Sequence, residues 1–124
     1  MKESDYQTQF SHWLKDNKPS TAVYELKICH TDRLPISAVK SHQVTALLEA
    51  KELFYHKISD ASFGLKSFDC IFLNKPKAYV AILFFIPRKR KVVTLITIDE
   101  FIKIKEKGLS FEMAKSISEL TFNL

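Results

Sequence analysis

Apolar residues in this chain fall into runs spaced by three and four and runs that alternate or are continuous, and the changes between them mark out the elements. Tyr6, Phe10, Trp13 and Leu14 recur at helical spacing behind Ser4, a residue type that caps helix starts, until Asn17-Lys18-Pro19 stops the run. This predicts a helix over residues 4–16. A strand is predicted over residues 21–29, followed by a polar loop from His30 to Pro35. Ser37 then stands as a second N-cap, and Val39, Gln43, Ala46, Leu47, Ala50 and Phe54 form one helical stripe, which predicts a helix over residues 38–54.

The second half reads mostly as strands. After a short strand at His56–Ser59 and a loop at Asp60–Ser67 containing Gly64, the runs Phe68–Leu73 and Ala78–Ile86 are rich in aromatic and branched residues. The second of these is apolar almost throughout, the pattern of a central strand covered on both faces. A basic connection, Pro87-Arg88-Lys89-Arg90-Lys91, leads to a strand over residues 92–98. Asp99 is placed to cap a helix over residues 100–107 that Gly108 ends, and Ser110 to cap another reaching residue 120. The fold class expected is α/β, in one domain over residues 1–124.

Composition narrows the function classes. Nineteen Lys and Arg against fourteen Asp and Glu give a formal charge of +5, which favours a polyanionic partner. Cys29 and Cys70 both fall within predicted strands and read as buried thiols rather than as a metal site or a disulfide framework. The N-terminus is polar and no long apolar stretch is free of charge, so a cytoplasmic protein is expected. Neither a glycine-rich phosphate loop nor zinc-ligand spacing nor a Ser/His/Asp arrangement is present.

Chemistry concentrates in Tyr24-Glu25-Leu26-Lys27-Ile28. Strand side chains alternate between faces, so Glu25 and Lys27 project together while Tyr24, Leu26 and Ile28 pack opposite. A carboxylate that holds a hard divalent cation beside an ammonium that orients water or steadies phosphate charge is half of a metal-dependent phosphodiesterase site. The same pair also reads as a surface ion pair on an edge strand. Such a site requires another acid. Asp69 opens an apolar strand, and it reads either as the second metal ligand or as a turn-capping residue at the strand mouth; Asp60 competes for the first role, although Ser59-Asp60-Ala61-Ser62 is also ordinary turn chemistry. Glu3 would reach the metal if the first helix extends back by a turn, and otherwise serves the helix dipole.

Gln43 lies on the apolar stripe of its helix, so its amide needs partners, found either at the catalytic end of the sheet or between backbone groups of the core. For nucleic-acid binding the candidates are the run Arg88, Lys89, Arg90 and Lys91, together with Lys40 and His42, with Lys57, Lys66, Lys75 and Lys77 adding to the field. Charge runs at turns also arise simply as solvated surface.

Taken together, Tyr24-Glu25-Leu26-Lys27, the loop ending in Leu34-Pro35-Ile36, and His42-Gln43 followed by Leu47-Leu48 resemble the RecU-like Holliday junction resolvases of bacteria and their phages, within the PD-(D/E)XK nuclease superfamily. The strand Ala78–Phe85 and the stretches Lys57-Ile58-Ser59-Asp60 and Lys66-Ser67-Phe68-Asp69 fit the same pattern, and the resemblance covers about residues 3–101. It implies a restriction-endonuclease-like core with a mixed central β-sheet flanked by helices, Mg²⁺- or Mn²⁺-dependent cleavage of DNA, branched DNA as the substrate, and a homodimer. Carried over, Glu25 is the metal carboxylate, Lys27 the catalytic lysine and Gln43 the polar residue of the second helix. One departure stands out. The family's aspartate usually precedes Glu-x-Lys on a neighbouring strand, yet only Asn17-Lys18-Pro19-Ser20-Thr21 lies between the first helix and this strand. The aspartate is then supplied later, by Asp69 or Asp60, or is lost, which would leave a catalytically inactive nucleic-acid-binding module. A protein-interaction subunit whose lysines serve solubility is the remaining expectation.

Overall fold

The computed structural model describes residues 1–17, 22–52, 55–58, 70–73 and 76–124. Its elements, in order, are α1 (Glu3–Asn17), β1 (Ala22–Cys29), β2 (Arg33–Pro35), a 3-10 turn (Ile36–Ala38), α2 (Ser41–Ala50), β3 (Tyr55–Ile58), β4 (Cys70–Leu73), β5 (Lys77–Ile86), β6 (Arg90–Thr97), α3 (Ile98–Phe101), β7 (Gly108–Ser110), α4 (Phe111–Ile117) and β8 (Leu120–Asn123). Four strands form a mixed sheet in the order β1-β5-β6-β8. In it β1 runs parallel to β5, while β6 is antiparallel to both β5 and β8. The molecule is thus mixed α/β, with a four-stranded sheet flanked by helices.

The apolar run of β5 explains why it is central. Val80, Ala81, Ile82, Leu83 and Phe84 are all fully buried, and alternation divides them between two cores. Ala78, Val80, Ile82 and Phe84 pack with Leu47, Ile98, Phe101, Leu109 and Ala114 on one face. Tyr79, Ala81 and Leu83 pack on the other with Tyr6 and Phe10 of α1, spaced by four as one helical stripe requires. Each large side chain buried this way contributes roughly 1.5–3 kcal/mol.

A short antiparallel ribbon, β2 with β7, pairs Leu34 with Leu109 and closes the first core. The backbone continues this pairing on both sides, with Phe111 N donating to Asp32 O at 2.7 Å and Ile36 N donating to Lys107 O at 2.9 Å. A separate hairpin joins β3 to β4.

Several elements depart from the sequence pattern, each for a local reason. The first helix begins at Glu3, so Ser4 lies inside it and its carbonyl accepts from Thr8 Oγ1. Ser37 sits in the 3-10 turn, and α2 starts only after Lys40. The third helix is a single turn capped by Thr97 Oγ1, which accepts from Glu100 N at 3.3 Å; Asp99 is within it rather than at its cap. It stops because Ile98 and Phe101 reach the core and the chain must return to pair β7 with β2, so Gly108 begins a strand rather than ending a helix. Ser110 does cap α4, accepting from Met113 N, but α4 ends at Ile117 and Leu120–Asn123 joins the sheet. The loop expected at residues 30–35 contributes β2. Cys29 is a buried free thiol, and no helix among the described residues is long and apolar enough to cross a membrane.

Candidate active site

Edge strand β1 carries the expected alternation. Tyr24, Leu26 and Ile28 pack against the α1-side core, while Glu25 and Lys27 share the α2 face with their register partners Val80 and Ile82 of β5. On that face Lys27 Nζ lies 3.3 Å from Glu25 Oε1, and the two side chains are 20% and 26% exposed. Both charges therefore stand at a half-buried margin, close enough to feel each other.

Gln43 completes the group. It is the third residue of α2, and its Oε1 accepts the Lys40 backbone N–H at 2.8 Å, the return half of a capping box. That bond fixes which end of the amide is oxygen. The NH₂ end consequently faces β1, where Nε2 donates to Glu25 Oε1 at 3.0 Å. A carboxylate can only accept and an ammonium can only donate, so the three groups match in polarity as well as position. Lysine is not a capping residue type, so no sequence signal marked this start; the orientation follows only from α2 beginning after Lys40.

An open cleft of about 610 Å³ runs between α1 and the edge of β1, lined by Glu3, Gln7, Ser11 and Lys15 on one side and Tyr24, Glu25 and Leu26 on the other. Glu3 and Glu25 thus border one opening. Among the described residues no three of His, Cys, Asp and Glu stand close enough to hold a metal ion together. Asp60 and Asp69 lie outside the described residues, as do Lys66 and Lys75 and the side chain of Lys57.

The basic run does not form one surface. Arg88 and Lys89 are exposed at the β5–β6 turn. Arg90 pairs with Asp32, lies 4.0 Å from the centre of the Phe111 ring and is only 16% exposed. Lys91 turns the other way, and its Nζ donates to Gln9 Oε1 of α1 at 2.6 Å. Because β6 begins at Arg90, strand alternation divides these two cations between opposite faces of the sheet. Lys77 is engaged by Glu119 at 3.1 Å. Lys40 and His42 are exposed around the first turn of α2, flanking Gln43.

A second polar group sits on the α1 face, where the Tyr79 hydroxyl donates to Glu119 and the Tyr79 ring stacks on Tyr24 with centroids 5.5 Å apart. Burial, then the hydrogen bond to Glu119 and its charge, push the Tyr79 hydroxyl well above the usual tyrosine range.

No protein-family model, curated protein or solved structure matches this chain.

Proposed function

We propose that the chain is a metal-dependent DNA endonuclease with a restriction-endonuclease-like core, hydrolysing phosphodiester bonds of branched DNA in the manner of a Holliday junction resolvase. The observation that carries this reading is the convergence of the Lys27 ammonium and the Gln43 amide on one oxygen of Glu25. Both contacts are made by Oε1, so Oε2 takes part in neither. A carboxylate oxygen without a partner among the described residues is the kind of hard donor that Mg²⁺ or Mn²⁺ prefers.

In this reading Glu25 would hold the ion together with a further carboxylate, for which Asp60 and Asp69 are the candidates, while Glu3 stands on the α1 side of the sheet, opposite the face that Glu25 shares with Gln43. When bound, the ion makes water acidic enough to attack at neutral pH and balances charge on the phosphate. Gln43 keeps the Glu25 carboxylate from swinging into solvent, and Lys27 steadies the added negative charge at the scissile phosphate. The +5 net charge supports a nucleic-acid partner over a neutral one.

The test is cleavage of a labelled four-way junction with Mg²⁺ by the wild type, Glu25→Ala and Lys27→Ala. Cleavage by the wild type with losses of about a hundredfold or more in each variant is expected. Binding without cleavage by all three would leave the inactive nucleic-acid-binding module instead, and an absence of salt-sensitive binding would leave neither.

A further inference from the structure

Strand β1 is an edge of the four-stranded sheet. It pairs with β5 along one side, and among the described residues no strand pairs with the other. Its outer side therefore presents a row of backbone donors and acceptors along a strand of 8 residues, a template for pairing with another chain.

The helix above this edge is anchored away from it. The Tyr6 hydroxyl donates to Ala81 O of β5 at 2.9 Å, and the Trp13 ring stacks on Phe122 of β8 with centroids 3.8 Å apart. Because α1 is held over the middle and far side of the sheet, Tyr24, Leu26 and Ile28 are only partly buried, and the open cleft of about 610 Å³ lies against β1 with Phe10, Leu14, Tyr24 and Leu26 in its lining. On the opposite face Val23 is 37% exposed. The edge is thus both unpaired among the described residues and half covered.

The sequence of β1 says what fits there, because it is complementary to itself. Antiparallel pairing of two β1 strands about a twofold axis at Leu26 sets Tyr24 opposite Ile28, Glu25 opposite Lys27 and Val23 opposite Cys29. Alternation keeps each of these pairs on one face. On the α1 side an aromatic residue meets a β-branched one on both flanks of a Leu26–Leu26 contact, and on the α2 side a carboxylate meets an ammonium twice; both kinds of cross-strand pair are favourable. A twofold axis pairs only residues of the same face, so the nearest competing registers are centred on Glu25 or on Lys27. Those would set like charges against each other on the axis, and charge therefore selects the register about Leu26.

We infer that the outer edge of β1 is the contact surface for a second copy of this chain, paired antiparallel about Leu26 so that the two four-stranded sheets join into one. The cleft beside β1 then receives apolar side chains of the second copy's strand. This goes beyond the proposed function and does not depend on it.

The experiment is sedimentation of the full chain against concentration, without DNA or divalent metal, for the wild type, Glu25→Lys, Lys27→Glu and the double exchange Glu25→Lys/Lys27→Glu, with urea midpoints confirming that each folds. The wild type should pass from the 14.4 kDa chain to twice that mass as concentration rises. Each single exchange sets like charges together at both cross-strand pairs and should weaken association by about tenfold or more. The double exchange restores both pairs and should restore the dimer. An equimolar mixture of the two single variants should form a heterodimer, since every pair between them is again of opposite charge; a contact within one chain could not produce this. Hydrogen exchange on the wild type needs no variant and decides the matter if one fails to fold: amides of residues 22–29 should slow with concentration, while those of β8, the other edge, should not. A wild type that stays monomeric, single variants that associate like the wild type, a folded double exchange or mixture that stays monomeric, or β1 amides indifferent to concentration each overturns the inference and leaves the DNA-cleaving reading standing.

Discussion

Gln43 grips Glu25 with one end of its amide and the Lys40 backbone with the other, at 3.0 and 2.8 Å. One side chain therefore sets the start of α2 and the orientation of the carboxylate on β1, while Val44, Leu47 and Leu48 of the same helix pack in the apolar core on this face of the sheet. A polar residue on an apolar stripe is tolerated here because both of its ends are satisfied.

Removing that bridge should register in stability as well as in any activity. Gln43→Ala loses a cap interaction and a charge-assisted hydrogen bond, and the expected cost is about 1–2 kcal/mol in urea unfolding. Gln43→Glu keeps an acceptor for the Lys40 amide but sets a second carboxylate against Glu25. That variant should be less stable than wild type at neutral pH and should recover as the pH falls toward about 4, where the pair can share a proton. A variant as stable as wild type at pH 7 would show that the contact contributes little.

Thr94 offers a gain rather than a loss. It is fully buried in β6, opposite Ile82 and Thr121, and its hydroxyl has no partner among the described residues. Valine has nearly the same shape, suits a strand and lacks the unsatisfied oxygen. Thr94→Val should stabilise the fold by about 1 kcal/mol, equivalent to roughly 3–5 °C in Tm. A lower Tm would count against this account of the hydroxyl.

Alternation and helical spacing are local properties, and what they govern was legible in the sequence. Glu25 and Lys27 share a face because β1 is a strand, and Tyr6 and Phe10 reach one core because α1 is a helix. Elements held by their partners were not legible. The three-residue strands β2 and β7 have too few positions for a period to show, and only their pairing makes them strands. Leu120 and Phe122 do alternate with polar residues, but the stripe of α4 runs into them, and only the open edge of β6 decides that they form β8. Gly108 carried a helix-stop signal, yet it begins a strand, because its pairing partner Pro35 is 73 residues away in sequence. The basic run misled in a way that strand alternation could have corrected, since Arg90 and Lys91 are adjacent positions of one strand.

The β5–β6 connection contains one strained residue. Lys89 N donates to Ile86 O at 2.9 Å, which places Pro87 and Arg88 at the central positions of a turn, and Arg88 has φ of 66°. Proline followed by a positive φ is the type II arrangement, whose second central position favours glycine. Arg88→Gly should therefore stabilise the hairpin, by about 1 kcal/mol in chemical unfolding, with Arg88→Asn between the two. If Arg88→Gly is destabilising, the arginine side chain must make contacts that outweigh the backbone strain.

Three tyrosines should make the protein sensitive to alkali. Burial raises the hydroxyl of Tyr6, which donates to Ala81 O at 2.9 Å; burial and then Glu119 raise those of Tyr79 and Tyr24. In the unfolded chain these groups ionise near pH 10. Above that pH the unfolded state has released protons that the native state still holds, so fewer protons are bound on unfolding and stability falls as pH rises. Below it the effect vanishes. For the buried pair Tyr6 and Tyr79 the slope approaches about 1.4 kcal/mol per pH unit for each group. Urea midpoints measured on both sides of pH 10 should fall steeply only on the alkaline side, and Tyr79→Phe and Tyr6→Phe should each flatten that limb. Tyr6→Phe should also cost about 1 kcal/mol at neutral pH, where only its hydrogen bond is lost. Glu119→Gln should lower the ionisation of Tyr79 followed by tyrosinate absorbance and leave Tyr6 unmoved, because Glu119 raises Tyr79 and Tyr24 whereas burial alone raises Tyr6. An alkaline limb unchanged by both phenylalanine variants would mean that lysine deprotonation, not tyrosine burial, governs the loss.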